Sequence, residues 1–328
     1  MNPSSVRNRF RWLAAGLLAA ALPLHAAPAT VITTNYQGWA DSYLLTNGIV
    51  EAVVVPAIGR VMQFGFAGEE GVFWENTNLF GVTLNGLETN WMNFGGDKSW
   101  PAPEGEWPKF TKSDVWRPPL GFDGLPMLGK VESGDVYLIS QVDPAYGIRV
   151  RRRVHLHPRK PVLYVQTTFE RLAGEPAKIG VWTVTQFKDP KFIYLPAPAS
   201  SIFGTNGYTL INPEPPPAMK HDSGLLWFAR DPEAPHKIGS DADAALWMNT
   251  KFACRIDSPR VRKADYPDHG SSLEVYTNPD PLPYIELETL GPLKKLAPGD
   301  SITRVNIYTL HRRTELDPEK EARKILLR

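Results

Sequence analysis

The sequence has one cysteine, Cys254, in 328 residues. That excludes an intrachain disulfide and any zinc site built on cysteine. It has no surplus of charge either, with 36 Lys and Arg against 35 Asp and Glu. A balanced chain of this kind speaks against a general binder of nucleic acid or of a membrane surface. GxSxG, P-loop, dinucleotide and HExxH motifs are all missing, and the seven histidines show no metal-ligand spacing. No metal and no cofactor are therefore expected. Long helices are scarce as well, because 31 prolines interrupt the helical patterns.

Long apolar runs are absent. The one candidate, "WLAAGLLAAALPL", follows Arg7, Arg9 and Arg11 and precedes "HAAPA". It is shorter than the roughly 20 residues needed to span a bilayer. A basic start, a short apolar run and small residues form a secretory signal pattern, so residues 1–27 are expected to be removed on export. The remainder then holds 33 basic residues (36 less the three in that segment) against 35 acidic ones, a net charge of −2. The periplasm is the expected compartment. Residues 28–328 are expected to form a single domain with a core large enough to stand without disulfides. Oligomeric state is not legible.

What the mature chain does have is short β-prone segments. "IVEAVVVP" (Ile49–Pro56), "GRVMQFGF" (Gly59–Phe66), "VLYVQTTFE", "KIGVWTVTQF", "SLEVYTN", "YIELETL" and "SITRVNIYTL" are rich in Val, Ile, Thr and Tyr. "TNG", "SGD", "GTNG" and "APGD" supply turns between them. In "GIRVRRRVHLH", Ile148, Val150, Val154 and Leu156 fall on one face, and Arg149, Arg151, Arg153, His155 and His157 on the other. Many strands without alternating helices predict an all-β sandwich. A short C-terminal helix is expected in "ELDPEKEARKILL", capped by Asp317 with Pro318 in its first turn.

Three stretches could carry chemistry. "NFGGDKSWPAPEGEWP" (Asn93–Pro108) reads as a stiff loop lying among Trp91, Trp100, Trp107 and Trp116. Flat indole faces beside Asp97 and Lys98 suit a sugar, whose C–H face stacks while its hydroxyls take hydrogen bonds. The same indoles could instead hold loops onto the sandwich. In "YIELETL", Tyr284, Glu286 and Glu288 share one strand face, and neighbouring carboxylates can raise one another's pKa for acid–base work. A solvated outer face is the plainer alternative. "EVYTN" repeats the pairing with Glu274 and Tyr276. The basic face from Arg149 to His157 could meet an acidic glycan such as a uronate, or be a solvated face balanced by carboxylates on the next strand.

Taken together, "GRVMQFGF…VFWEN", "NFGGDKSWPAPE", "WTVTQ" (Trp182–Gln186) and "EVYTN…PYIELETLGPLKKLAPGDS" resemble the galactose mutarotase-like (aldose 1-epimerase) superfamily over roughly Ile49 to Leu310. The resemblance implies a large antiparallel β supersandwich that binds carbohydrate on one face. It implies a Glu in a "LET"-type strand as the base for the anomeric hydroxyl, which here matches Glu288, with Glu286 on the same face as the fallback. It also implies a basic contact to the sugar, matched by Lys98. The active enzymes carry a His in a central strand to protonate the ring oxygen. Here that stretch is "VWTVTQ", where Trp182 and Gln186 stand on one face and no His is present. His155, His157 or His269 would have to supply the proton from elsewhere.

The leading expectation is thus an exported carbohydrate-binding protein for a mono- or oligosaccharide. Its site would draw on Trp91, Asp97, Lys98, Trp100, Trp182, Gln186, Tyr276 and Glu288. An epimerase, or a glycan lyase or hydrolase using Glu288, is the alternative. A scaffold that contacts a protein partner through the aromatic loop is another.

Overall fold

The computed structural model describes residues 29–327. The leader expected over residues 1–27 lies outside them. Two antiparallel sheets, of eleven and ten strands, carry most of the chain. Their facing sides share one apolar core, with Val54, Val61, Phe64 and Leu287 from the first sheet and Val150, Val165, Ile256 and Leu310 from the second. This is the all-β sandwich that the strand pattern predicts, of the large antiparallel form that the family resemblance implies. The alternation read from Ile148 to Leu156 sets the second sheet's inward face, with Ile148, Val150, Val154 and Leu156 all fully buried. The C-terminal helix spans Pro318–Leu326, and the Asp317 carboxylate accepts from the Glu319 and Lys320 amides, as the sequence predicts. Among the described residues no helix is long and apolar enough to cross a membrane.

The centre of the eleven-stranded sheet positions the site. Its strands run in the spatial order Arg60–Phe66, Asp97–Ala102, Ala177–Lys188, Tyr284–Leu290, Leu273–Thr277, His236–Ser240. Cross-strand register then fixes which side chains meet. Lys98, Val184, Glu288 and Glu274 form one row across the sheet, and Gln186, Glu286, Tyr276 and Lys237 form the next.

One element departs from the sequence reading. The stiff loop expected over Asn93–Pro108 contains a wholly buried strand, Asp97–Ala102, in mid-sheet. Proline is usually excluded from such a strand because it cannot donate to the ladder. Here Pro101 is paired on one side only, opposite Val181, while the strand's other edge is joined at Asp97 alone, opposite Val61. The missing N–H therefore costs no ladder bond. Gly95 and Gly96 lead into the strand at φ +94° and +68°, and a Cβ on Gly95 would stand 2.2 Å from the Trp74 carbonyl oxygen. No other residue type fits that crossing.

Candidate functional site

Strand alternation divides this sheet into two chemically different faces. On the inner face Asp97 is fully buried and ion-paired with Arg152 of the second sheet. Its carboxylate also accepts from Tyr308 Oη at 2.6 Å and Thr185 Oγ1 at 2.7 Å, and its carbonyl accepts from Arg152 Nη1 at 2.9 Å. Asp97, expected to contact a sugar, is instead a tie between the two sheets. Its neighbour Lys98 points to the opposite face, because successive strand residues alternate.

On the outer face Trp91, Trp100, Trp116, Trp182, Tyr276, Tyr284, Glu104, Glu286, Asn212 and Lys237 line a cavity of about 210 Å³. The indoles meet edge to face. Trp100 is 5.1 Å from Trp182 at 85° and 6.1 Å from Trp91 at 71°, and Trp91 is 5.4 Å from Trp116 at 88°. Trp91 Nε1 donates to Asp123 Oδ2 at 2.6 Å, and Asp123 is itself paired with the buried Arg60. These bonds hold the ring in place without spending the cavity's own polar groups. Trp116 is the exposed edge of the set, at 52% against 2% for Trp100 and Trp182. Trp107 is buried, donating to the Pro101 carbonyl, so one of the four loop tryptophans serves to anchor its loop while the other three reach the cavity.

Beneath the indoles lies a charged floor. Glu286 borders the cavity, and its Oε1 accepts from Gln186 Nε2 at 2.8 Å. Lys98 Nζ lies 3.5 Å from the same oxygen. Its ammonium has no hydrogen-bond partner and rests 4.9 Å from the Trp100 ring centre and 5.9 Å from that of Trp91. Burial pulls the Lys98 pKa down, against the pull of the Glu286 charge. Glu288, by contrast, is fully covered. Trp182 Nε1 donates to its Oε2 at 2.8 Å, and Lys237 Nζ stands 3.1 Å from that oxygen and 2.8 Å from Glu274 Oε2.

This second cluster sets two fully buried carboxylates against one ammonium at the cavity's edge. Burial pushes both Glu274, up to about 7, and Glu288, well above the usual carboxylate range, with Lys237 opposing. Burial alone would lower Lys237, but the two carboxylates outweigh it and hold its pKa high. These directions agree if the ammonium stays charged and the two carboxyls share one proton, which leaves the buried cluster neutral.

Of the residues expected from sequence, Trp91, Trp100, Trp182, Tyr276 and Glu286 line the cavity. Lys98, Gln186 and Glu288 stand under its floor, and Asp97 is on the other side of the sheet. Lys237, Glu104 and Asn212 also line the cavity; Glu104 belongs to the Asn93–Pro108 segment singled out for its tryptophans, whereas Lys237 and Asn212 lie in segments with no distinguishing spacing. No histidine is among the lining residues. His155 and His157 line a separate hollow beside Arg153, and His269 another beside Arg260. The basic strand face is balanced locally, with Arg149 and Arg151 on Glu170, and Arg153 and His155 on Asp135. Among the described residues no group of three or more His, Cys, Asp or Glu is placed to hold a metal ion.

No family model matches the chain, and no curated protein matches it in sequence. Solved structures do match in fold. A galactose mutarotase-like protein from Lactobacillus casei ATCC 334 aligns with a TM-score of 0.54 at 12% identity, covering 82% of this chain and 100% of that one. A galactose mutarotase-like protein from Clostridium acetobutylicum gives 0.54 at 10% identity over 87% and 99%. A galactose mutarotase related enzyme from Lactobacillus acidophilus gives 0.51 at 12% identity over 82% and 97%. The chain therefore has the galactose mutarotase-like fold.

Proposed function

We propose that this protein binds carbohydrate in the cavity lined by Trp91, Trp100, Trp116 and Trp182, and that it does so outside the cytoplasm after loss of residues 1–27. The observation that carries the reading is the convergence of apolar ring faces with Glu104, Glu286, Asn212 and Lys237 around one small open cleft. Sugars are amphiphilic in that way, with C–H faces that stack on rings and hydroxyls that need donors and acceptors at fixed positions. The fold shared with mutarotase-like proteins supports it.

A second reading, exchange of sugar anomers, has one specific observation in its favour. Lys98 and Glu286 form a cation–carboxylate contact at the cavity floor, the cation being buried and shifted toward giving up its proton. In this reading Glu286 takes the anomeric proton, and Lys98 supplies a proton in place of the missing imidazole. The phenols of Tyr276 and Tyr284 are pushed upward by burial and by Glu286, so neither is a better donor near neutral pH.

Magnetisation-exchange NMR on reducing sugars separates the readings. Line broadening without cross-peaks supports binding alone. Anomer cross-peaks that vanish in Glu286→Gln establish the exchange reaction. No effect with any sugar would overturn both. N-terminal sequencing of the protein recovered from cells tests the export.

A further inference from the structure

A second cavity, of about 610 Å³, opens on the same face of the eleven-stranded sheet. A packed pair of rings links its lining to that of the aromatic cavity. Trp74 lines the larger volume, Tyr284 lines the smaller one, and their centres are 4.6 Å apart at 35°. Both cavities also draw on one strand. On the Ala177–Lys188 strand, Gln186 holds Glu286 of the first cavity while Lys188, one step further along the same face, lines the second. The first cavity is smaller than the roughly 300–1,000 Å³ usual for small-molecule sites, and the second falls within that range.

The second cavity has the same chemical character as the first. Tyr36, Trp74 and Phe80 give ring surface. Between them Glu75 is held by Tyr36 Oη at 2.8 Å and by Gln63 Nε2 at 2.7 Å, which fixes its carboxylate. The charge is one-sided. Glu51, Glu69, Glu70 and Glu75 line the volume with one lining cation, Lys188, 2.5 Å from Glu70, while Arg312 pairs with Glu69 from beside it, so four carboxylates face two cations. A uronate or sulfated unit would meet net repulsion there.

We propose that this cleft is a second saccharide subsite, so that the ligand is an oligosaccharide free of acidic groups, lying across the Trp74–Tyr284 pair into both cavities. The proposal rests on the carbohydrate reading above and adds to it the length and charge class of the ligand.

Isothermal titration calorimetry on the mature protein tests it, using glucose, galactose and mannose oligomers of one to five units, with oligogalacturonate as the acidic probe. The expected result is at least a tenfold gain in affinity from one unit to two or more in a neutral series, and no such gain for oligogalacturonate. Tyr36→Phe and Glu75→Gln should each erase most of that gain while leaving the single-unit affinity within about twofold. The conservative Tyr36→Phe keeps the ring and guards against loss of fold. Equal affinity for all lengths, or a gain that survives both variants, would overturn the subsite and leave the carbohydrate reading standing. Tighter binding of oligogalacturonate would overturn the charge class. Absence of binding by every sugar, long or short, would overturn the carbohydrate reading and this proposal with it.

Discussion

Lys98 Nζ lies 3.5 Å from Glu286 Oε1 beneath a roof of two tryptophans, and no hydrogen bond satisfies its ammonium. Such a group is expensive to keep, because taking a charge out of water costs more than one imperfect contact returns. Lys98→Met removes that cost but leaves Glu286 without its cation, and losing one partner of a buried pair typically costs about 3–5 kcal/mol, so the fold should be weakened. Glu286 retains its bond from Gln186 in that variant. The same substitution should weaken sugar binding and abolish any anomer exchange. Urea unfolding and NMR titration on one sample check both halves. A destabilised Lys98→Met that binds sugar normally would make Lys98 a structural residue.

Asp97 is adjacent to Lys98 in sequence, yet its role is opposite. It ties the sheets through Arg152, Tyr308 and Thr185. Asp97→Asn leaves Arg152 as an uncompensated buried cation, which typically costs about 3–5 kcal/mol. Adding Arg152→Met should recover much of that loss, a coupling that a double-mutant cycle measures. Sugar affinity of whatever protein remains folded should be unchanged. Lost affinity at unchanged stability would return Asp97 to the sugar site.

These two neighbours also mark how far the sequence could be read. Period-two alternation is legible where one face is apolar, as in Ile148–Leu156, and it even places Arg152 among Val150 and Val154 on the inward side. A buried cation at such a position demands a carboxylate, but nothing in the sequence says which one. In Asp97–Ala102 both faces carry polar side chains, and the double glycine and prolines mimic a loop. The face of Asp97 and the existence of its strand are therefore decided by pairing with Ala177–Lys188, a non-local fact. Glu286 and Glu288 were correctly put on one face, but which of them opens to the cavity depends on Trp182 and Lys237 closing over Glu288. Lys237 comes from a strand of five residues, too short to show a pattern.

The Glu274–Glu288–Lys237 cluster predicts a pH signature. Burial raises Glu274 from 4.5 to about 7. Glu286 and Asp268 add negative charge nearby, and Glu104 faces Lys237. Between pH 4.5 and about 7 the folded state thus holds a proton that the unfolded state has released. Its stabilising contribution is complete below the unfolded pKa and is lost as pH rises through the folded one, with a slope of at most about 1.4 kcal/mol per pH unit per proton. Glu274→Gln leaves one carboxylate opposite one ammonium, needs no shared proton, and should flatten the profile in that window. Chemical denaturation at half-unit pH intervals gives the slopes directly. Parallel slopes in the two proteins would mean that the cluster carries no shared proton.

The tryptophans divide into those that build the cavity and one that edges it, and the two groups should respond differently. Trp100 is 2% exposed and touches Trp91, Trp107 and Trp182, so Trp100→Ala opens a core void and should cost about 3–5 kcal/mol. Trp116 is 52% exposed and packs on Trp91 and Trp107 by one edge, so Trp116→Ala should cost less, about 1–2 kcal/mol. Its ring nevertheless lines the cavity, and its Nε1 donates to Glu104, another lining residue. Removing it takes away a stacking face and frees the Glu104 carboxylate, so sugar affinity should fall by about tenfold, the 1–2 kcal/mol expected for one aromatic contact. Intrinsic fluorescence reads both quantities, through the unfolding midpoint and through quenching by added sugar. Unchanged affinity in Trp116→Ala would confine binding to the buried indoles, and a large loss of stability there would show that the exposed ring is a structural clamp on the Asn93–Pro108 segment.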